Sequence, residues 1–538
     1  MAEPRFDPEP EVILEDKFHN SAYSIVVATA RTCYASVPIT PENALRFKGM
    51  GKEMDSARAK EMGEKVARNI FDSVYEAGHH TTIQHPHYLF LIKKVSRHFI
   101  WSFLHSHPFY DSEQVSQRYV EMKKENFVTP PLEGRAAELY ENMVHEQMQG
   151  YFDLIELSRE AIAGEYYRIF PARRRTPEKW EEAIHKKTLE FARYVIPIAT
   201  TAFLHHTVSG LTLLRYYKLA QQFDTPLETR AVVGKMIDLG RQSDPEYFSK
   251  AIDPIPLEQT PEYTMFTGFF GNNKVNPGAA AFVKDHDARL GGLQSKLIDW
   301  KANAERTMAQ SVRDVFGVSE TQLSDDAAID SVLHPAKNPL LGSTLNLTTI
   351  SKLARALNHP HYTFLKKLSH TADSQDQRHR MTPGTRPVMA GHFNPEKPDC
   401  IWPMAYEKNP ALMDKARRIA EHAWKTIDAL LNEGVPWEYA QYLLPNAVAV
   451  RFTESGDLLN QHHKWHTRLC YLAQEEIWRT CKEEVAQVAD VHPRLAKHIA
   501  APCTMRKEAG LSPYCPEGKK FCGVPVWKFD VKDYQRTI

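Results

Sequence analysis

The chain has 538 residues, too many for one hydrophobic core, so two domains with an appended segment are expected. Its 67 Lys and Arg balance 67 Asp and Glu, which excludes nucleic-acid binding driven by net charge and requires any phosphate ligand to be gripped by a few local cations. Seven cysteines, an odd number with no secretory leader in Met1-Ala2-Glu3-Pro4-Arg5-Phe6-Asp7, point to reduced thiols or a metal site in a soluble, cytoplasmic protein, and no apolar run approaches the ~18 residues of a membrane helix.

In chain order, alternating apolar residues predict strands at 11–14 and 87–92 and a short one at 127–128. Apolar positions recurring at three and four predict helices at 136–165 and 177–194. The segment 253–261, Asp-Pro-Ile-Pro-Leu-Glu-Gln-Thr-Pro, puts three prolines in nine residues, removing backbone donors and holding each preceding residue extended, so a domain boundary is expected there. Turn chemistry at Gly271-Asn272-Asn273, Asn276-Pro277-Gly278 and Ser324-Asp325-Asp326 surrounds one predicted helix over 285–316. Helices over 409–433 and 465–489 follow. The strands are too few for a barrel or sandwich, so the fold class is α+β. The expected division is 1–255, 256–500 and a Cys-containing tail, 501–538, with helices predominating and a small sheet in each domain.

The stretch Gln375-Asp376-Gln377-Arg378-His379-Arg380 holds a compact double cation, matched to a diphosphate because guanidinium forks give paired hydrogen bonds to oxyanions. Alone, such a triplet is more often a solvated basic face. An ordered series follows it: Gly434-Val435-Pro436, Leu444-Pro445, Arg451-Phe452, Arg468 and Ala473-Gln474-x-Glu476-Ile477. This series resembles the flavin-dependent thymidylate synthases, whose signature opens with Arg-His-Arg, runs on to Ser-x-Arg-Tyr, and continues through these elements at these spacings.

The first half has the other end of the same signature. His107, Ser116, Arg118 and Tyr119 stand at its spacing, while Ser106 and Pro108 replace two arginines. Gly78-His79-His80-Thr81 with His85 resembles the family's Gly-His-x-Thr/Ser element. Ile196-Pro197 and Glu228 fall where Leu-Pro and the Glu of Ala-Gln-x-Glu lie, but Ala220 replaces the arginine that Arg468 matches. In the second half the segment 381–387 has lost Ser-x-Arg-Tyr. Each half keeps what the other lacks, so two divergent tandem copies sharing one composite site are expected.

The resemblance implies FAD-dependent reductive methylation of deoxyuridylate to thymidylate, with methylenetetrahydrofolate and NADPH as co-substrates and no cysteine nucleophile. It assigns Arg468 to the uracil edge, where a fixed cation stabilises negative charge developing on the ring. It sets Arg378, His379 and Arg380 at the flavin diphosphate, with Gln375 and Arg378 also near the nucleotide. Ser116 and Arg118 are expected at its phosphate and sugar, and Thr81 and His463 at the flavin. Asp457 and His463 stand where flavin-contacting asparagines are usual, and Gln441 where a substrate-binding arginine is usual. A homodimer of tandem chains mimicking the family's tetramer is expected, with nucleotide and folate ligands, no nucleic acid and no membrane. The alternatives are a catalytically silent nucleotide- or metal-binding paralogue, or an enzyme acting on another pyrimidine nucleotide.

His79, His80, His85, His87, His98, His105 and His107 follow no ligand spacing and are expected to be core or flavin-facing residues. Beyond the resemblance, Cys503, Cys515 and Cys522 lie among turn-forming Pro and Gly, a pattern that suggests zinc or an iron–sulfur cluster; a fourth ligand would come from Cys400, Cys470, Cys481 or a histidine. Arg173-Arg174-Arg175 and Lys93-Lys94 are expected to be solvated faces.

Overall fold

The computed structural model describes residues 4–46, 57–221, 224–536 and 538; Met1-Ala2-Glu3, from the expected leaderless start, lie outside them. The chain forms two compact units. The first comprises Met1–Ser116, Glu125–Glu138 and Ile198–Asn272, and the second Gln117–Lys124, Leu139–Pro197 and Asn273–Ile538. The units therefore do not divide the chain at 255: two segments of the sequence's first half pack within the second unit. Among the described residues no helix is long and apolar enough to cross a membrane.

The first unit is built on an antiparallel sheet of order β1-β2-β4-β3, with β1 Glu11–Lys17, β2 His87–Ser96, β3 Asp111–Gln114 and β4 Thr201–Ser209. In β2 burial alternates, so Tyr88, Phe90 and Ile92 enter the core while their neighbours stay more exposed. Helix Pro226–Ser243 supplies Val232, Val233 and Met236 to that core. The second unit holds an antiparallel sheet of order β5-β6-β7, with β5 Ser295–Trp300, β6 His361–Ser369 and β7 Ala449–Asp457.

One local device recurs in both units: a strand ends on a capping residue that starts the next helix. Ser96, Ser209, Ser369 and Asp457 each accept a hydrogen bond from a backbone N–H three residues on. A deeper repeat accompanies it. Ser96 donates from its N and Oγ to the Glu228 carboxylate at 2.7 and 2.7 Å, and Ser369 does the same to Glu476 at 2.7 and 2.6 Å. The counterpart of β3 in the second unit is reduced to an isolated bridge, Gly384 to Glu454, in the segment that lost Ser-x-Arg-Tyr.

Several predicted elements differ from those observed. The predicted helix 285–316 is two helices, Ala279–Leu290 and Ala304–Phe316, around β5; Gly291 and Gly292, at φ 63° and 88°, end the first and turn the chain into the strand. The predicted helix 465–489 is also two, Leu458–Arg468 and Glu475–Val491, joined by a turn in which Ala473 N–H donates to Cys470 O at 2.9 Å. Residues 127–128 contribute one isolated bridge, Phe127 to Thr200, and no strand. Strands β3, β4, β6 and β7 are not predicted from the sequence.

The long helix Gly134–Ile169 packs, from Leu139 onward, within the second unit. There Gly150 lies against Ile419 of helix Pro410–Asn432 so closely that a Cβ would stand 2.3 Å from the Ile419 side chain. Ile196-Pro197 and Leu444-Pro445, matched as equivalents by sequence, meet in this unit: Pro197 and Pro445 form an antiparallel bridge, and Asn446 N–H donates to Ile196 O at 2.8 Å.

Candidate functional site

The Arg-His-Arg stretch follows the short helix His370–Asp376, whose start is fixed by Ser369 and Glu476. Tyr194 OH also donates to Glu476, at 2.8 Å, and receives a hydrogen bond from Gln474 Nε2 at 2.7 Å. The other end of the helix is anchored by charge. Buried Asp376 accepts from Lys366 Nζ at 3.1 Å and Lys464 Nζ at 2.8 Å; Lys366 also pairs with Glu484 at 3.0 Å, and both lysines reach Glu454. Burial alone would raise the Asp376 pKa, but Lys366 and Lys464 hold it well below the usual carboxylate range. Residues 378–380 thus leave a fixed platform, with Arg378 exposed and His379 and Arg380 partly so.

Arg468, at the end of helix Leu458–Arg468, is 8 % exposed. Its Nε donates to His379 Nε2 at 2.8 Å and its Nη2 to Gln375 O at 3.1 Å, while Gln375 Oε1 accepts from Gln474 N at 3.3 Å. The bond to Nε2 requires a neutral His379; burial first, then Arg468 and Lys464, push its pKa well below the imidazole range. Burial lowers the Arg468 pKa, Asp376 opposes that, and the charges of Arg118 and Arg378 add to it, so three guanidiniums act on one neighbourhood.

Arg118 belongs to the second unit although it lies in the sequence's first half. Its Nε and Nη2 donate to Glu190 Oε2 at 3.1 and 2.9 Å, and its Nη2 also to Leu472 O at 2.7 Å, four residues past Arg468. Neighbouring Gln117 accepts from Asn446 Nδ2 at 3.0 Å. Arg118 lines a cavity of about 1800 Å³ together with Lys187, Glu190, Trp180, Trp478 and Arg536. Gln375, Arg378, Arg380 and Arg468 are not among its lining residues.

Ser116, half-buried, and Thr81, exposed at the start of a single helical turn, belong to the first unit. Of the histidines there, His98 is buried and stacked on Trp101 at 5.8 Å, and His107 Nδ1 accepts from Phe109 N at 3.0 Å. His87 is exposed on its strand, its Nδ1 2.8 Å from His85 O.

His463 lines a second cavity, about 180 Å³, with Asn346, His462, His466 and Arg506. Its ring lies 6.0 Å from that of His379 and its Nδ1 3.4 Å from Asn346 Nδ2. Asp457 acts locally. Its Oδ1 caps the helix through Asn460 N at 3.0 Å and also takes Asn460 Nδ2 at 2.8 Å, so the carboxylate is already engaged. Gln441 is buried.

Among the described residues no three His, Cys, Asp or Glu side chains stand close enough together to hold a metal ion, so the expected set of Cys503, Cys515 and Cys522 is not assembled here. The structure does bring a fourth thiol into their neighbourhood. Burial first, then Cys470, Cys522 and Cys515, push the Cys503 thiol up to about 12. Tyr534 ties the segments together: its OH receives Ala501 N–H at 3.4 Å, and its ring meets that of Tyr471, next to Cys470, at 6.1 Å.

Sequence reasoning misses Lys187, Glu190 and Arg536, which no motif marks, and treats Arg173 as solvated. Arg173 instead lies over Trp180 at 4.0 Å and Phe170 at 4.1 Å and lines the large cavity. The aromatic spacing Tyr166, Phe170, Trp180 around it was the available signal. Arg174 and Arg175 are exposed, and Lys93 pairs with Glu11 at 2.6 Å.

The model of the thymidylate synthase complementing protein family matches residues 16–246 and 296–494. A flavin-dependent thymidylate synthase of Saccharolobus solfataricus is 32% identical over 158 residues, which is 28% of this chain and 58% of that relative, under two thirds of its length. One from Clostridium tetani is 22% identical over 247 residues, 45% of this chain and 88% of that relative. Among solved structures, a UMP/dUMP methylase PolB from Streptomyces cacaoi bound with 5-Br dUMP is similar over 45% of this chain and 94% of that one, at 14% identity and a TM-score of 0.30, a likeness too low to bear on function.

Proposed function

This chain belongs to the thymidylate synthase complementing protein family, and from that premise we propose that it methylates deoxyuridylate reductively to thymidylate, using methylenetetrahydrofolate and NADPH with bound FAD, in the cytoplasm. The single observation that supports one composite site best is that Arg118, from the first sequence repeat, donates to Leu472 O in the turn just after Arg468, from the second, within one compact unit.

In this reading Arg118 holds the phosphate, and Gln375 and Arg378 orient the nucleotide. Arg468 stabilises negative charge at the uracil edge; a fixed donor at developing charge is worth roughly 3–4 kcal/mol of barrier. Arg378, His379 and Arg380, with His463, would hold FAD, which when bound and reduced by NADPH supplies the hydride. The residues fit such a group: two cations flank His379, and Asp457, a carboxylate that would repel a diphosphate, is already turned to its helix cap. His462 Nε2, beside His463 in the small cavity, is buried with no hydrogen-bond partner among the described residues.

A zinc ion or iron–sulfur cluster at Cys503, Cys515 and Cys522, with Cys470 as the fourth thiolate, is part of the proposal. It requires those thiols to draw together and to lose protons that burial now retains. A homodimer of tandem chains remains the proposed assembly.

The second reading, a nucleotide-binding protein without turnover or an enzyme for another pyrimidine nucleotide, is favoured by the internal bonds that already occupy Arg468 and by the missing Ser-x-Arg-Tyr at 381–387. Release of tritium from C5-labelled deoxyuridylate, with FAD, NADPH and methylenetetrahydrofolate, separates the two. Release with thymidylate as product supports methylation; binding without release selects the second reading.

A further inference from the structure

The family match ends at residue 494, yet residues between 517 and 536, with Ile538, form one wall of the large cavity beside Arg118. Its lining holds ten Lys or Arg against four Asp or Glu, in a chain whose total charge is zero. That concentration is local and points to an anion.

Arg536 is 8 % exposed, and its Nη1 and Nη2 are buried with no hydrogen-bond partner among the described residues; its Nε donates to Ile538 O at 2.8 Å. Lys187 Nζ and Trp180 Nε1, which line the same cavity, are buried and also lack a hydrogen-bond partner among the described residues. Among the described residues the Ile538 terminal oxygen meets only Arg536 Nε, and the side-chain carboxylates nearby do not balance the remaining donors. Glu190 Oε2 already takes two bonds from Arg118 and stands 3.7 Å from Lys187. Glu475, the other acid facing Arg536, has its pKa raised, by burial first, which weakens it as a counter-charge. Burial brings the Lys187 ammonium down to about 8 against the pull of Glu190. Buried cations with unmet hydrogen-bond donors are costly, and a fold that gathers them around a cavity has a place for an anion.

We propose that Arg536 and Lys187, together with Arg118, grip the phosphate monoester of the pyrimidine nucleotide, so that the C-terminal segment completes the substrate site. This rests on the reading above that the second unit binds a nucleotide. Arg536 then supplies a charge that buried Gln441 does not. Trp180 and Trp478 line the same cavity and give the sugar an apolar surface.

Calorimetric titration of the full chain with deoxyuridylate, deoxyuridine and a folate tests this. For Arg536→Gln, deoxyuridylate affinity is expected to fall roughly 10- to 100-fold. Deoxyuridine affinity should not change, Arg536→Lys should recover part of the loss, and the ligand-free melting temperature should hold. Arg536→Gln binding deoxyuridylate as tightly as wild type overturns the proposal, as does equal loss of nucleotide and nucleoside. Loss of folate binding with deoxyuridylate intact also overturns it and gives the cavity to carboxylates. Wild type that binds no nucleotide sinks the nucleotide reading itself, a result distinct from these.

Discussion

Arg468 Nε donates to His379 Nε2 at 2.8 Å, joining the proposed catalytic cation to the middle of the Arg-His-Arg stretch. A neutral imidazole orients the guanidinium without cancelling its charge. Arg468→Gln is therefore expected to lower kcat by about 10²–10³-fold with deoxyuridylate binding less affected. His379→Ala, which frees Arg468 to rotate, should lower kcat less. Steady-state kinetics of both variants check the order, and a reversed order contradicts it.

Acid should weaken the second unit through its buried histidines. Burial, first among causes, brings His462 down to about 3 and His466 and His498 to about 4. A depressed histidine costs nothing above the unfolded value of about 6.5, and stability is lost as pH falls from there towards the folded value, by about 1.4 kcal/mol per pH unit for each group. Urea midpoints at pH 7.5 and 5.5 measure this. The lower pH should give the lower midpoint, and Asn at 462 should shrink the difference.

Lys366 sits among Asp376, Glu454 and Glu484, all buried. Removing one partner leaves carboxylates facing each other in low dielectric, so Lys366→Met is expected to lose about 3–5 kcal/mol. Since Asp376 ends the helix before residues 378–380, ligand binding should weaken as well. Chemical denaturation reads the first effect and titration the second.

The fold class was legible because helical periodicity and the paired motifs do not depend on long-range contacts. Strands β6 and β7 were not legible: each is followed at once by a helix, and buried Lys366 and Glu454 break the apolar pattern that marks a strand. The order of motifs singled out Gln375, His379 and Arg468, which the structure joins by hydrogen bonds. Spacing had nothing to say about Lys187 or Arg536, because a cation gathered by folding leaves no local signature. The chain's exchange of segments between units was equally invisible, since only packing shows that Arg118 and Ser116 fall on opposite sides of the division.

Burial first, then Cys470, Cys522 and Cys515, raise the pKa of the Cys503 thiol, and thiolate ligation by these four is the proposed state. Protein purified without chelator is expected to hold about one metal group per chain, and Cys470→Ser should lose it, as should Ser at any of the three tail cysteines. Elemental analysis with a visible spectrum distinguishes zinc from an iron–sulfur cluster. Metal-free protein of full stability would remove the metal from the account.

The most direct test is a double-mutant cycle on deoxyuridylate binding with Arg118→Gln, Arg468→Gln and the pair, measured on the intact chain. A shared site predicts that the combined loss departs from the sum of the single losses by at least about 0.5 kcal/mol. Strictly additive losses, or an Arg118→Gln chain that binds like wild type, would contradict a single site built from both repeats.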